Sequence, residues 1–355
     1  MLPHARHEYL IRQLELHGSI RASEIAEALD VSPVTIRRDI DQLADKGLME
    51  RVHGGALSLA RQTSRPDPAR TLIGAVVPLR NFYYPEVVHG MELVASRMRA
   101  RLILGVAGYE PETERSRVER LLSLGVQGLI LTPSHLQNAD DVASWLTAIP
   151  VPVVLLERHV NATSQVRRID SVRTDHAYGA ELAVEHLRDL GHERIGLAVD
   201  MWTPTAPWIQ QGYLQVTTRL AMEPPPVVEL PSDPNDIEAI TNSANQLIDE
   251  YLRTGVTGLL VHSDHHAIQI AEVCQLRGLR VPEDMAIVSY DDVLAAHAAV
   301  PLTAVTPPRV ELGREALRMV MTRVERPDEA AAPHHLQLLP RLTVRQSTAP
   351  SPASA

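Results

Sequence analysis

From Leu72 to Tyr290 the chain alternates between short apolar runs and longer stretches with helically spaced apolar residues, and the alternation restarts once on the way. The runs Leu72–Pro78, Leu102–Val106, Gly128–Thr132 and Val151–Leu156 leave little room for a polar face. They predict strands covered on both sides, as parallel sheets between two layers of helices require. Pro85–Met98 carries Val87, Met91, Val94 and Met98 in helical register, and Glu112–Leu124 and Ala139–Thr147 are helices of the same kind. The second round reads helix Ala177–Leu190, strand Ile195–Val199, helix Trp208–Leu220, then Ile237–Leu252, Leu259–His262, His266–Arg277 and Met285–Tyr290. Two α/β units of similar size predict two lobes with a cleft between them. Ligands of such sheets bind beyond the carboxyl ends of the strands.

The strand ends therefore supply the candidate binding residues. The first strand runs into Asn81, Phe82, Tyr83 and Tyr84, and the fourth into Glu157 and Arg158. In the second unit strands end at Asp200, at Ser263-Asp264 and at Asp291-Asp292. Aromatic faces stack on the apolar face of a sugar or base, while carboxylates and a guanidinium hold hydroxyls by charge-assisted bonds. Each residue alone has a local alternative: Asp264 caps the following helix, and Asn81 makes a turn. Their shared position at strand ends is what argues for a ligand.

Ahead of this region, Glu8–Leu16 and Ser23–Leu29 read as short helices. Ser32 is an N-cap with Pro33 at the first helical position of a third, which runs to about Ala44. Leu48–Arg51 and Ala56–Leu59 form a two-stranded wing around His53-Gly54-Gly55. Ile36, Ile40 and Leu43 share the core-facing stripe of the third helix, so Arg38 points away from it between Val34 and Gln42, with Thr35 and Arg37 on the shoulders. Arginines near the N-terminus of an exposed helix suit major-groove reading, since a guanidinium bonds guanine O6 and N7 bidentately. A solvated charged face without a partner is the competing interpretation.

Composition narrows the chemistry. Lysine and arginine number 34, and only Lys46 is a lysine. Lys46 lies far from any Gly-rich loop, which excludes P-loop, pyridoxal and Schiff-base chemistry. The single cysteine, Cys274, excludes a disulfide framework and a cysteine-rich zinc module. His262, Asp264, His265 and His266 are the densest metal-like cluster, but they straddle a strand end and a helix start, so no metal site and no cofactor are expected. No G-x-S-x-G, H-E-x-x-H or G-x-G-x-x-G occurs, and no enzyme is expected. Neither a membrane span nor an apolar signal core is visible, which points to a cytoplasmic protein. The formal net charge of −10 gives nucleic-acid binding no help; the N-terminal 61 residues hold 8 Lys/Arg against 9 Asp/Glu.

Ile25-Ala26-Glu27-Ala28-Leu29-Asp30-Val31-Ser32, Thr35-Ile36-Arg37-Arg38-Asp39-Ile40 and His53-Gly54-Gly55-Ala56 resemble the DeoR-type winged helix-turn-helix. That resemblance implies that Ser32, Val34, Thr35, Arg37, Arg38 and Gln42 face the major groove of operator DNA, with Arg51 and His53 on the wing. Val172–Ala180, Leu190–Ile195, Ile287–Asp292, Pro301–Val305, Leu312-Gly313-Arg314 and Pro340-Arg341-Leu342 resemble the ligand domain of the LacI/GalR regulators. It implies a periplasmic-binding-protein-like sensor in which Phe82-Tyr83-Tyr84, Glu157-Arg158 and Asp291 hold a sugar or nucleoside. Ile209, beside Trp208, stands where many members have a ligand-holding arginine, and Pro307-Pro308 where many have Gln-Pro. Trp208 joins the candidate set, and the pocket is expected to be less polar than a pentose site.

The expected architecture is α/β: a winged helix-turn-helix at 1–60, a linker at 61–70, a two-lobed sensor of parallel sheets flanked by helices at 71–347, and a tail at 348–355. Lobe one takes about 71–171 and 302–325; lobe two takes about 172–301 and 326–347. The function that follows is a ligand-responsive transcriptional regulator, a repressor of carbohydrate or nucleoside metabolism, acting as a homodimer or dimer of dimers on operator DNA. The rivals are a DeoR-type regulator that senses a phosphorylated sugar, and a sugar-binding protein without operator-specific function.

Overall fold

The computed structural model describes residues 6–7, 9–11, 13–14, 19–29, 31–45, 48–52, 54–57, 70–79, 82–134, 139–158, 165–233, 236–326 and 332–349. The chain divides into two compact units, Met1–Arg70 and Thr71–Ala355. No helix among the described residues is long and apolar enough to cross a membrane.

In the first unit, β1 (Ser19–Arg21), α1 (Ala22–Ala28), α2 (Pro33–Asp45), β2 (Glu50–Val52) and β3 (Gly55–Leu57) follow in order. Leu10, Leu14, Ile25, Ile36, Ile40, Leu43 and Met49 are buried together in one core. The wing has three antiparallel strands rather than two, ordered β1-β3-β2, with Ile20 opposite Ala56 and Arg51 opposite Ala56 on its other side. Three-residue β1 has no alternation long enough to be seen in the sequence.

The second unit holds two six-stranded sheets. Its elements are β4 (Thr71–Val77), α3 (Tyr84–Ala95), β5 (Ala100–Val106), α4 (Pro111–Ser123), β6 (Gly128–Leu131), α5 (Ala139–Thr147), β7 (Val153–Leu156), β8 (Asp170–Thr174), α6 (His176–Asp189), β9 (Ile195–Val199), α7 (Ala206–Arg219), β10 (Val228–Glu229), α8 (Ile237–Thr254), β11 (Gly258–His262), α9 (Asp264–Leu276), β12 (Ala286–Tyr290), β13 (Thr303–Thr306), α10 (Arg309–Glu325), β14 (His335–Leu338) and β15 (Arg341–Thr343). The first sheet is ordered β14-β8-β7-β6-β4-β5 and the second β10-β9-β11-β12-β13-β15. All pairs in the two sheets are parallel except β13 with β15.

Alternation along each strand feeds two cores per sheet. Ile130 of β6 joins Ile73, Met91 and Leu317 on one face, while its neighbours Leu129 and Leu131 join Val118, Leu121 and Leu146 on the other. In the second sheet Leu259 and Val261 pack with Ile248 and Ile270, and Leu260 between them packs with Leu187 and Tyr213. Each such Leu or Ile contributes roughly 1.5–3 kcal/mol by burial.

The lobe boundaries differ from the sequence expectation. β8 (170–174) is wholly in the first sheet, paired with β7. Residues 303–306, placed by sequence in lobe one, form β13 beside β12 of the second sheet. Residues 335–338, placed in lobe two, form β14 beside β8 of the first. The chain therefore passes between lobes after Thr174, between Thr306 and Arg309, and between Leu338 and Arg341. A four-residue run such as Thr-Ala-Val-Thr fits the middle of either sheet, and only ladder pairing over long sequence separation selects one.

Helices α3 and α10 cross at backbone contact on lobe one. A Cβ on Gly90 would lie 2.1 Å from the Val310 carbonyl oxygen, and one on Gly313 would lie 1.8 Å from that of Val87. Only glycine permits this approach.

Candidate functional site

The surface of α2 divides as its spacing dictates. Ile36, Ile40 and Leu43 are buried, Val34 is 70% exposed, and Ser32, Arg37, Arg38 and Gln42 are exposed, with Thr35 half-buried. The Ser32 hydroxyl accepts from Thr35 N at 3.2 Å and lies 2.8 Å from Thr35 Oγ1, which caps the helix start. Arg51 lies across a shallow groove, its Nη1 2.9 Å from Asp41 Oδ1, so the wing is tied to α2 by this pair. His53 lies outside the described residues. Asp39, inside the Arg-Arg-Asp word, faces inwards: Arg6 Nε donates to its Oδ2 at 2.8 Å and His7 Nε2 lies 3.2 Å from its Oδ1. This carboxylate fastens α2 to the first helical turn, a role that spacing alone could not separate from a surface charge.

In the second unit a cleft of about 690 Å³ opens between the carboxyl ends of the two sheets. Phe82, Tyr83, Tyr84, Glu157, Arg158, Ser263 and Asp291 line it. Asn81 lies outside the described residues. Trp208 and Asp264 do not line it. The Trp208 ring instead packs under the Arg173 guanidinium, 5.9 Å from its centroid. Asp264 is fully buried; it accepts from Ser289 Oγ and from the backbone N–H groups of Val293, Leu294 and Ala295 at 2.6, 2.7 and 3.3 Å. It holds the turn after β12 and has no capacity left for a ligand. A strand-end carboxylate of either kind looks alike in sequence. Ile209 is buried in the core rather than at the cleft.

Glu157 is the most engaged group in the cleft. Tyr83 Oη donates to its Oε1 at 2.5 Å, Thr174 Oγ1 to Oε1 at 2.6 Å and Thr174 N to Oε2 at 3.0 Å. His176 Nε2 stands 3.3 Å from Oε2 without hydrogen-bond alignment. Burial raises its pKa, but His176, Thr174 and Tyr83 together outweigh burial and bring it down to about 2. Asp291 goes the other way. Burial first, then the nearby carboxylates Asp264 and Glu157, push it up to about 8 against the opposing pull of Arg309. Burial, with His176 and His266 close by, pulls His262 down to about 3, so its ring is neutral.

Asp291 and Asp292 sit in left-handed backbone, with φ of 100° and 55°, not on an extended strand. Asp292 turns away to Arg345 and Thr306, both at 2.7 Å, which leaves Asp291 at the cleft. The turn is gripped from the other lobe by Arg309 at the start of α10: it donates to the Asp291 and Asp292 carbonyls and, at 2.8 Å, to Glu86. Phe82 of lobe one, itself at φ 64°, stacks on His265 of lobe two with centroids 5.1 Å apart.

Sequence reading missed Tyr109, Ser134, His176, Trp202, Ser232 and His266, all of which line the cleft. They lie in connecting loops or at helix starts, where apolar periodicity carries no information; distance from a strand end was the usable signal. Four buried polar atoms of cleft-lining residues lack a hydrogen-bond partner among the described residues: Arg158 Nη2, His262 Nδ1, His266 Nδ1, and His176 Nε2, which has only the ion-pair contact with Glu157. No group of three or more His, Cys, Asp or Glu among the described residues is arranged to hold a metal ion.

Two domain families match the chain, a DeoR-like helix-turn-helix domain over residues 6–62 and a periplasmic binding protein-like domain over residues 184–348. The arabinose metabolism transcriptional repressor of Halalkalibacterium halodurans is 25% identical over 349 residues, 94% of this chain and 91% of its own length. The HTH-type transcriptional repressor PurR of Haemophilus influenzae is 30% identical over 272 residues, 75% of this chain and 77% of its own. The chain belongs to the LacI/GalR-type transcriptional repressors. Among solved structures, the CelR–cellobiose complex superimposes with a TM-score of 0.67 and 23% identity over 89% of this chain and 91% of that one, a likeness of fold. This repressor is a DNA-binding protein, not an enzyme, and it joins a DeoR-type reader to a LacI-type sensor.

Proposed function

We propose that this repressor senses a small, uncharged polyhydroxylated molecule, a sugar or nucleoside, in the interlobe cleft, and regulates genes for its metabolism. The observation that carries the reading is the set of buried, unpartnered polar atoms at the cleft, Arg158 Nη2, His262 Nδ1 and His266 Nδ1, beside the aromatic rings of Phe82 and Tyr84. Buried polar groups without partners are costly, and a hydroxylated ligand supplies them. Charge argues against a phosphorylated sugar: Glu110, Glu157 and Asp200 line the cleft against the guanidinium of Arg158, the one guanidinium in its lining among the described residues, while Asp291 is held mostly neutral by its raised pKa.

Asn81, Phe82, Tyr83, Tyr84, Glu157, Arg158, Ser263 and Asp291 make up the proposed ligand set. Ser32, Val34, Thr35, Arg37, Arg38, Gln42, Arg51 and His53 make up the proposed operator surface. The domain limits are 1–60, 61–70 and 71–347. One winged helix reads too few base pairs to select a site in a genome, so two or four copies act together on an operator. Ligand that closes the cleft alters the spacing of the readers, and a coupling of ~1–3 kcal/mol changes operator affinity about 5- to 150-fold. A thermal-shift screen of the full chain against sugars, polyols, nucleosides and sugar phosphates, followed by operator binding with each hit, tests this. Stabilisation by sugar phosphates alone overturns it.

A further inference from the structure

We infer that the cleft takes a glycoside of two linked rings, with the inner ring among the buried polar groups and the outer ring laid on Trp202 opposite Tyr109. This rests on the sugar reading of the same cleft.

Space is the first argument. A pyranose of twelve heavy atoms fills about six water volumes, or ~180 Å³ at ~30 Å³ each. The cleft, at about 690 Å³, has room for a second ring beyond the first.

Depth is the second. Glu157, Arg158 and His262 are almost wholly buried and Asp291 is 8% exposed, whereas Tyr109 is 36% and Trp202 80% exposed. Polar recognition is thus concentrated at the floor and broad aromatic surface at the mouth. A monosaccharide held by the floor leaves the mouth uncovered.

Construction is the third. Trp202 sits in a fastened turn: its backbone N–H donates to Asp200 Oδ1 at 3.0 Å, Ser232 Oγ donates to the same oxygen at 2.8 Å, and Thr203 N and Oγ1 donate to the Asp200 carbonyl at 3.2 and 3.0 Å. The indole is therefore presented by a braced loop while left largely in water. Across the cleft Tyr109 is in left-handed backbone, φ 61°, directly after Gly108 at φ 65°. Its loop is pinned by Ala107 N to the Val77 carbonyl at 3.0 Å and Gly108 N to that of Pro78 at 2.8 Å. Strained backbone that sets a large ring at a cleft mouth is characteristic of ligand contact. Indole and phenol rings stack on the apolar face of a sugar or an aryl group.

The test uses full-length protein and matched probes: glucose against cellobiose, maltose and p-nitrophenyl β-glucoside, and galactose against lactose, melibiose and p-nitrophenyl β-galactoside. Calorimetric titration should show at least one two-ring probe bound tenfold or more tightly than its parent monosaccharide. Trp202→Ala should abolish most of that advantage while leaving monosaccharide affinity within twofold, and Trp202→Phe should restore part of it. The two-ring probe should also protect indole fluorescence from acrylamide quenching in the parent protein and not in Trp202→Ala. Equal affinity for one and two rings, or equal loss of both in Trp202→Ala, overturns this inference alone. No binding by any of these probes overturns this inference; the sugar reading falls separately, when the thermal-shift screen finds stabilisation by sugar phosphates alone.

Discussion

Replacing Asp291 by Asn gives the sharpest check on the electrostatics of the cleft. Its carboxyl is raised from 3.8 to about 8 in the folded protein, chiefly by burial and then by Asp264 and Glu157. A carboxyl raised on folding stabilises the fold while protonated, and that contribution is lost as pH climbs from the unfolded value through the folded one. The interval of about four pH units, at ~1.4 kcal/mol each, sets a ceiling near 6 kcal/mol. Water reaches the cleft edge of Asp291, so roughly 2–4 kcal/mol is the working figure. Asparagine keeps the shape and never ionises. The difference in melting midpoint between Asp291→Asn and the parent should be near zero at pH 4 and grow to roughly 4–8 °C in favour of the variant at pH 9, at about 2 °C per kcal/mol for a unit of this size. Titration of groups that do not interact with Asp291 is common to both proteins and cancels in the difference. Thermal melts at half-unit pH intervals measure it. A difference independent of pH, or a parent that outlasts the variant at pH 9, would refute the argument. Binding follows the same logic. At pH 7 the empty cleft holds Asp291 mostly protonated, so the substitution should cost ligand affinity only about 1 kcal/mol, roughly fivefold, rather than the larger loss a carboxylate acceptor would imply.

Three further outcomes are expected. Arg38→Ala should weaken operator binding by ~1–3 kcal/mol with unchanged melting and unchanged ligand affinity; mobility-shift titration of a folded variant that matches the parent would remove α2 from the reading surface. Arg309→Met leaves the Asp291 and Asp292 carbonyls without their cross-lobe donor and should destabilise the sensor by roughly 2–4 kcal/mol, seen in denaturant melts; an unperturbed midpoint would mean that the turn holds itself. Gly313→Ala places a methyl 1.8 Å from the Val87 carbonyl oxygen, so α3 and α10 must separate, and a loss of at least ~2 kcal/mol is expected; a neutral result would show the crossing to be slack.

What the sequence determined by itself is what local periodicity encodes. Uninterrupted runs such as Leu129–Leu131 can only be strands covered on both faces, the Ile36/Ile40/Leu43 stripe can only bury one side of α2, and so the parallel-sheet architecture, the exposure of Arg38 and the approximate position of the cleft were all legible. Tertiary structure alone decided matters that depend on neighbours distant in the chain. Residues 303–306 and 335–338, Thr-Ala-Val-Thr and His-Leu-Gln-Leu, carry no pattern that prefers one sheet, and their ladders assigned them opposite to the sequence expectation. Asp264 and Asp291 are both strand-end carboxylates, yet Ser289 engages one oxygen of the first and the turn at 293–295 the other, while the second is left at the cleft with its pKa pushed upward. Trp202 and Tyr109 belong to loops with no repeat to read, more than ninety residues apart in the chain, and they meet the ligand space only because the two sheets aim their carboxyl ends at one cavity. Periodicity reports which side of an element is covered; what covers it is settled by packing.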